Sequence, residues 1–356
     1  MSGGLTVPVL GVVSGKLDFV DMSVESIPRL PGGSVLRVGV GLGSGETARI
    51  IGPGGDLPSI RLFNENGEKI AHENKLGYIL SGSARHITLD HYEAVQYQAP
   101  YAVFGTGKQP VCIAHLAIVW PDGSKYGWVG DWGRQCGTPW YYSNVYIPGT
   151  DVKADCMWLD QNRRIGGFQV HFPDFSGKHD QTLPEDAAGQ KKMVDWYCKS
   201  GPPFRVTPEN PKEVVYWTGP KAPFDRGAGS HGSIATANFT LTERDERDEQ
   251  DEQDDQMESE SILEESASPI LVVTHEEQHS AEDLCNSETS AGPDLLNLYS
   301  KMFCRMSDKT LWPVCDTVNV TENCFKISRG ILLTNDFGTA AAALPHSDFI
   351  DWTLDA

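Results

Sequence analysis

The stretch Val111–Ile147 reads VCIAHLAIVWPDGSKYGWVGDWGRQCGTPWYYSNVYI, and the fold class turns on it. Its first ten residues, Val111–Trp120, are rich in β-branched and aromatic types and stop at Pro121-Asp122-Gly123. That is turn chemistry, and with Lys125–Gly130 following, the pattern predicts a β-hairpin. Between Trp120 and Tyr146 the stretch packs four tryptophans and four tyrosines into 27 residues, with a cysteine on either side of Trp128, Cys112 and Cys136. Large aromatics on strands mostly fill cores, so Trp120 and Trp128 are expected inside. Asp131, Trp132, Trp140, Tyr141 and Tyr142 stand among Gly and Pro, in what reads as a loop. Exposed aromatic rings stack on sugar faces and a nearby carboxylate takes hydroxyl hydrogen bonds, so these five are the candidate ligand-binding residues.

Outward from this stretch, short strand candidates recur at Ser34–Val40, Ala48–Ile51, Ser59–Phe63, His86–Leu89 and Tyr101–Phe104, with Phe168–Phe172 further on. A tight turn is expected at Asn64-Glu65-Asn66-Gly67. Pro184–Ser200 is the one convincing helix, presenting Met193, Val194, Trp196 and Tyr197 to the sheets and stopped by Gly201-Pro202-Pro203. Strands at this spacing, without helices between them, predict a mainly β chain with a β-sandwich or jelly-roll-like domain.

Charge marks the division of the chain. The net charge is −20, and the run Glu243–Glu265 alone holds thirteen acids against two arginines. Such a tract cannot bury enough apolar area to fold. The expected layout is therefore an N-terminal tail over 1–15, a sandwich domain over 16–241 with its helix near 184–200, and an acidic disordered linker over 242–268. A cysteine-rich β module over 269–334 and a C-terminal tail over 335–356 complete it. Within the module, Pro269–Thr274, Phe303–Met306, Thr310–Cys315 and Cys324–Ile327 are strand candidates, the middle two forming a hairpin.

Eight cysteines fall four and four: Cys112, Cys136, Cys156 and Cys198, then Cys285, Cys304, Cys315 and Cys324. With no CxxC pair, zinc ribbons are disfavoured, and two bridges per part in an oxidising compartment are expected. The sequons Asn238-Phe239-Thr240 and Asn319-Val320-Thr321 agree with export. The start, MSGGLTVPVLGVVSGKL, lacks the basic residues of a signal peptide. An acidic molecule without a basic stripe has no electrostatic reason to bind nucleic acid, and no run reaches membrane-spanning length.

Catalytic motifs are weak by comparison. His275-Glu276-Glu277-Gln278-His279 matches HExxH, which on a helix would bind zinc through His275 and His279 with Glu276 polarising water. The string follows a strand-like run, however, in a module too small for a two-lobed protease. Asp131, Asp155 and Asp160 are the acids near the aromatics that could pair for glycoside hydrolysis. Ala228-Gly229-Ser230-His231-Gly232 has Ala where a nucleophile elbow needs Gly. Gly39-Val40-Gly41-Leu42-Gly43 is not followed by a helix, so it is no dinucleotide loop and no cofactor is expected.

Two sets of segments resemble an uncharacterised group of secreted proteins of filamentous fungi. One runs from Trp120-Pro121-Asp122-Gly123 through Gly130-Asp131-Trp132-Gly133 and Cys136 to Trp140-Tyr141-Tyr142-Ser143-Asn144, with Phe168–Phe175. The other joins His279-Ser280-Ala281-Glu282-Asp283-Leu284-Cys285 to Phe303-Cys304 and Leu311-Trp312-Pro313-Val314-Cys315. The resemblance implies an extracellular location and a two-part layout, and brings no catalytic residues. The sequence thus points to a secreted, non-enzymatic binding or surface-interaction protein, with a carbohydrate or cell-wall ligand at the 132–142 loop. A hydrolase, or a structural wall or host-interaction factor, are the alternatives.

Overall fold

The computed structural model describes residues 6–13, 15–42, 54–92, 97–177, 183–218, 239–241, 270–316, 320–333, 342–343, 346 and 348–354. Strands take up 47% and helices 14% of it, so the chain is mainly β. It divides into two compact units, one holding the described residues up to 241 and the other those from 270 onward. The acidic tract 242–268, Ala48–Ile51, Ala228–Gly232, Asn238 and Asn319 lie outside the described residues.

The first unit opens with the antiparallel hairpin β1 (Thr6–Val13) and β2 (Lys16–Ser23). This corrects the expectation of a tail over 1–15. Val9 and Leu10 are neighbours yet both are fully buried, so the strand lacks the alternation by which a half-exposed strand is recognised. There follow β3 (Gly33–Val40), β4 (Gly55–Asp56), β5 (Ser59–Phe63), β6 (Lys69–Glu73), β7 (Tyr78–Ile79) and β8 (Ala84–Asp90). Next come β9 (Tyr101–Gly105), β10 (Val111–Val119), β11 (Lys125–Val129) and the short helix α1 (Asp131–Gln135). After it stand β12 (Trp140–Tyr146), β13 (Lys153–Leu159), β14 (Gly167–His171), α2 (Ala187–Lys199), β15 (Phe204–Thr207), β16 (Val215–Trp217) and β17 (Phe239–Leu241).

Strand β10 is the axis. Its Val111–Ile113 end pairs with β13, its His115–Val119 end pairs with β11 on the same side, and β3 takes the opposite edge. The expected turn closes β10 onto β11: the Gly123 amide donates to Trp120 O at 2.9 Å, with Gly123 at φ +89°. One sheet runs β12-β13-β10-β3-β8 with β11 branching from β10, and a second runs β15-β14-β9-β5-β6. Both feed one apolar core: Leu36, Leu116, Ile118 and Trp128 from the first meet Ile60, Leu62, Phe104 and Phe168 from the second. The Trp128 ring lies 5.5 Å from Phe168 and 6.0 Å from Phe204, so the hairpin tryptophan spans the two layers.

Helix α2 forms where its pattern placed it, its first turn capped by Asp186, whose carboxylate accepts from the Gly189 amide at 2.8 Å. Met193 and Tyr197 are buried, and Tyr197 Oη donates to Asp174 O at 2.7 Å. Cys136–Cys198 ties this helix to the end of α1, and Cys112–Cys156 staples β10 to β13.

The second unit contains β18 (Ile270–Thr274), α3 (Ala281–Asn286), β19 (Asp294–Asn297), β20 (Met302–Arg305) and β21 (Thr310–Pro313). Then come β22 (Cys324–Lys326), β23 (Ile331–Leu333), β24 (Ala342–Ala343) and β25 (Asp348–Asp351). The β20–β21 hairpin forms as expected. Strands β18 and β19, however, are parallel and joined through α3, and β25 pairs in parallel with the other edge of β18. The expectation of a tail over 335–356 is corrected accordingly, because Ile350 and Trp352 are buried. Bridges Cys285–Cys304 and Cys315–Cys324 staple this unit, and all four bridges stay within their own group of four cysteines. Four disulfides indicate an oxidising compartment. Among the described residues no helix is long and apolar enough to cross a membrane.

The Cys136–Cys198 bridge closes a span of 62 residues. Loop-closure entropy for that span predicts that a Cys136→Ser/Cys198→Ser variant loses about 4 kcal/mol. Urea denaturation of the variant against the intact protein measures it.

Candidate functional site

The candidate loop is not a loop. Asp131–Gln135 is α1 and Trp140–Tyr146 is β12, paired with β13. Trp132, Trp140 and Tyr141 are 0% exposed and Tyr142 3%. Trp132 donates its indole N–H to Leu10 O at 2.9 Å and packs on Phe175 and Tyr197. Trp140 carries the Arg134 guanidinium over its ring at 4.0 Å, with Tyr142 edge-on at 5.4 Å. The glycines here permit close packing rather than turns: a Cβ on Gly133 would lie 2.6 Å from Met157, and one on Gly130 2.5 Å from Asp155 O. The expectation of an exposed aromatic platform at Trp132, Trp140, Tyr141 and Tyr142 is corrected, since their faces are spent on the core.

Two of the three candidate acids do meet. Asp131 Oδ1 accepts from the Asp155 amide at 3.4 Å, and Arg134 pairs with the Asp155 carboxylate at 3.3 Å. Burial, and then the charge of Asp155, pushes the Asp131 carboxyl well above the ordinary carboxylate range. Asp131 is itself buried, so the pair lines no open cleft. Asp160 stands apart, capping the turn Gln161–Arg163 through the Asn162 amide at 2.9 Å.

The HExxH string leaves β18 as a turn and not a helix, so its histidines share no face. His275 is exposed, whereas His279 is buried with Nδ1 3.0 Å from Thr274 Oγ1 and its ring 5.0 Å from Trp352. Asn297 fixes the turn completely. Its Nδ2 donates to Glu276 O and His279 O at 2.8 and 2.7 Å, while its Oδ1 accepts from the Tyr299 and Ser300 amides. Among the described residues no group of three or more His, Cys, Asp or Glu side chains is arranged to hold a metal.

A different constellation forms on the outer face of the second sheet. The register sets Phe63 opposite Tyr101 and Tyr101 opposite His171, at the ends of β5, β9 and β14. Two buried polar side chains draw the segment 208–217 across this face. Gln169 donates from Nε2 to Pro202 O and Val215 O at 2.8 and 2.6 Å, and its Oε1 accepts from the Val215 amide at 2.8 Å. Arg61 Nη1 donates to Asn210 Oδ1 and Pro211 O, both at 3.2 Å. Strand β16 is thereby held so that the Trp217 amide donates to Tyr101 Oη at 3.1 Å and the Trp217 indole N–H to Asp174 Oδ2 at 3.4 Å.

His171 sits at the centre, 0% exposed. Its Nδ1 is 2.7 Å from Asp174 Oδ2, and since a carboxylate only accepts, Nδ1 carries the proton. Nε2 faces Glu65 Oε1 at 3.7 Å, and Tyr101 lies against the ring at 4.3 Å. Burial raises the Tyr101 phenol above its ordinary value and keeps it neutral. Glu65 is delivered by the expected turn, in which the Gly67 amide donates to Asn64 O at 3.1 Å with Gly67 at φ +76°. Glu65, Asn66, Tyr216, Trp217 and Thr218 line an open cleft of about 430 Å³. The sequence signalled the turn and the β14 strand separately; no local pattern joins Glu65, His171, Asp174 and Trp217.

No protein-family model matches the chain, and no curated protein matches it by sequence.

The two histidines of the HExxH string should separate on substitution. His279→Ala removes a buried ring and its Thr274 bond and is expected to cost about 2–4 kcal/mol. His275→Ala, on the surface, is expected to stay within about 0.5 kcal/mol of the parent. Urea denaturation curves of both variants check this.

Proposed function

We propose that the chain is an extracellular, non-enzymatic binding protein that takes a carbohydrate in the Glu65–Trp217 cleft. The observation that carries the reading is the make-up of that cleft: a half-buried tyrosine, Tyr216, beside a carboxylate, an amide and a hydroxyl from Glu65, Asn66 and Thr218. A sugar offers an apolar C–H face to such a ring and hydroxyls to such acceptors and donors. The ligand thus moves from the buried aromatics of 132–142 to the outer face of the second sheet. Four disulfides support an extracellular setting, and a wall polysaccharide is the ligand class proposed. Two antiparallel sheets over one core support a β-sandwich, jelly-roll-like frame for the first unit.

A hydrolytic reading draws on the His171–Asp174 pair, which has the geometry of a base and its orienting carboxylate. Against it, the imidazole is enclosed and its second nitrogen faces Glu65, so it backs the cleft wall instead of reaching a substrate. Asp174 is committed to His171 and Trp217, and among the described residues that line the cleft Glu65 is the one acid, where glycoside hydrolysis needs a pair.

A glycan array of wall-type polysaccharide fragments, followed by titration of tryptophan fluorescence, tests the proposal. Binding is expected, and Tyr216→Ala and Glu65→Gln are each expected to weaken it by roughly tenfold or more at unchanged melting temperature, one contact being worth about 1–2 kcal/mol. A blank array with folded protein removes the carbohydrate assignment.

A further inference from the structure

His115 is the one ionisable side chain of β10, all of whose residues are buried. Its ring lies over Gly39 of β3, its register partner, so closely that a Cβ there would sit 2.1 Å from Cε1. Among the described residues neither Nδ1 nor Nε2 has a hydrogen-bond partner, and both are sealed from solvent. A neutral imidazole has one donor and one acceptor to satisfy, and here both go unmet. The β3–β10 pairing also changes register between Ile113 and His115, so the ladder is already irregular at this point.

Among the described residues, the charged groups on the strands paired around β10 offer the ring no ion pair. On β3 stands Arg37, which donates to Ser26 Oγ at 3.1 Å and leaves its Nε unpartnered. On β8, His86 is the register partner of Arg37. Strand β11 places Val129 opposite His115 and Lys125 at its far end, opposite Val119. On β13 and α1, Asp155 and Asp131 are engaged with Arg134 and with each other. A proton arriving on His115 would therefore create a buried cation beside a guanidinium, on the seam between β10 and β3. The opposite edge of β10 is held differently, because Cys112–Cys156 bonds it covalently to β13.

We propose that His115 is an acid-responsive latch in the first unit: proton uptake at its ring parts β3 from β10, while the Cys112–Cys156 bridge keeps β10 on β13. The sign follows from linkage. The ordinary value of 6.5 is pulled down to about 3, first by burial and then by Arg37. The closed arrangement therefore holds its full contribution above pH 6.5 and loses it as pH falls toward 3. By pH ~4.5 the ratio of closed to open forms from this one group is expected to be roughly 100-fold lower than at pH ~7.5.

Amide hydrogen exchange on the full chain with its disulfides intact, corrected for intrinsic rates, reads this directly. Between pH ~7.5 and ~4.5, amides bridging β3 and β10 should lose protection by roughly 100-fold. Amides bridging β10 and β13 should lose far less. In His115→Leu, which fills the site without a titrating group, the selective loss should disappear. If that variant does not fold, imidazole NMR of the parent serves instead, with the His115 ring expected to stay neutral down to the pH at which the seam opens. Equal acid sensitivity in parent and variant overturns the proposal. So does a ring that titrates near 6.5 with the seam still protected.

Discussion

Everything in the first unit follows from a strand that is allowed no exposed face. Residues Val111 to Val119 are all buried, so β10 needs neighbours along both edges and cover above and below. The edges are met by β3 on one side and by β11 and β13 in succession on the other. The cover comes from the second sheet and from the β1–β2 hairpin, whose Leu10 carbonyl takes the Trp132 indole N–H. The aromatic density beyond the hairpin belongs to this requirement. Trp128, Trp132 and Trp140 are large because the space around a doubly covered strand is large, and burying each contributes on the order of 2–3 kcal/mol. The proposed binding cleft lies on another part of the surface.

That other part is made by polar side chains buried on the outer face of the second sheet. Gln169 uses its amide on three backbone groups, two of them on Val215, and Arg61 reaches Asn210 and Pro211. Each is an obligatory bond for a buried group, so the segment carrying Trp217 has one low-energy path across the sheet. The cleft is thus a consequence of satisfying Gln169 and Arg61. His171 and Asp174 then act as the floor behind Glu65.

Much of this was legible in the sequence, and the failures have physical reasons. The Val111–Gly130 hairpin, the Asn64–Gly67 turn, helix α2 and the four-and-four grouping of cysteines rest on local chemistry, which a sequence displays. Gly130, Gly133 and the Pro139-Trp140 step look like loop signals, yet two of these residues are small because backbone or Met157 presses on them. Strand β1 hid because adjacent residues are both buried. Helix α3 hid behind the HExxH match, although Ser280 capping the Asp283 amide at 3.0 Å is a start signal that Ser280-Ala281-Glu282-Asp283 displays. The cleft draws on positions 65, 171, 174 and 217, brought together by sheet pairing, the Asn64–Gly67 turn and the Gln169 and Arg61 bonds, and no window of sequence contains it.

The buried histidines show how sharply one position departs from the rule that buried polar groups are paired. His171 has Asp174 on Nδ1, His279 has Thr274 on Nδ1, and His91 has the Ser34 hydroxyl within 2.9 Å of Nε2. His346 has Asp294 at 2.9 Å. Each of these rings is oriented by a partner that also gives a proton somewhere to be held. Among the described residues His115 has none, and it occupies a strand buried along its whole length beside a half-buried arginine. An apolar residue of similar size would satisfy the same packing without two unmet hydrogen bonds, so packing alone does not account for an imidazole there. What an imidazole adds over leucine is the capacity to take a proton in the mildly acidic range once the seam opens, and that capacity is what makes the otherwise sealed β3–β10 pairing sensitive to its surroundings.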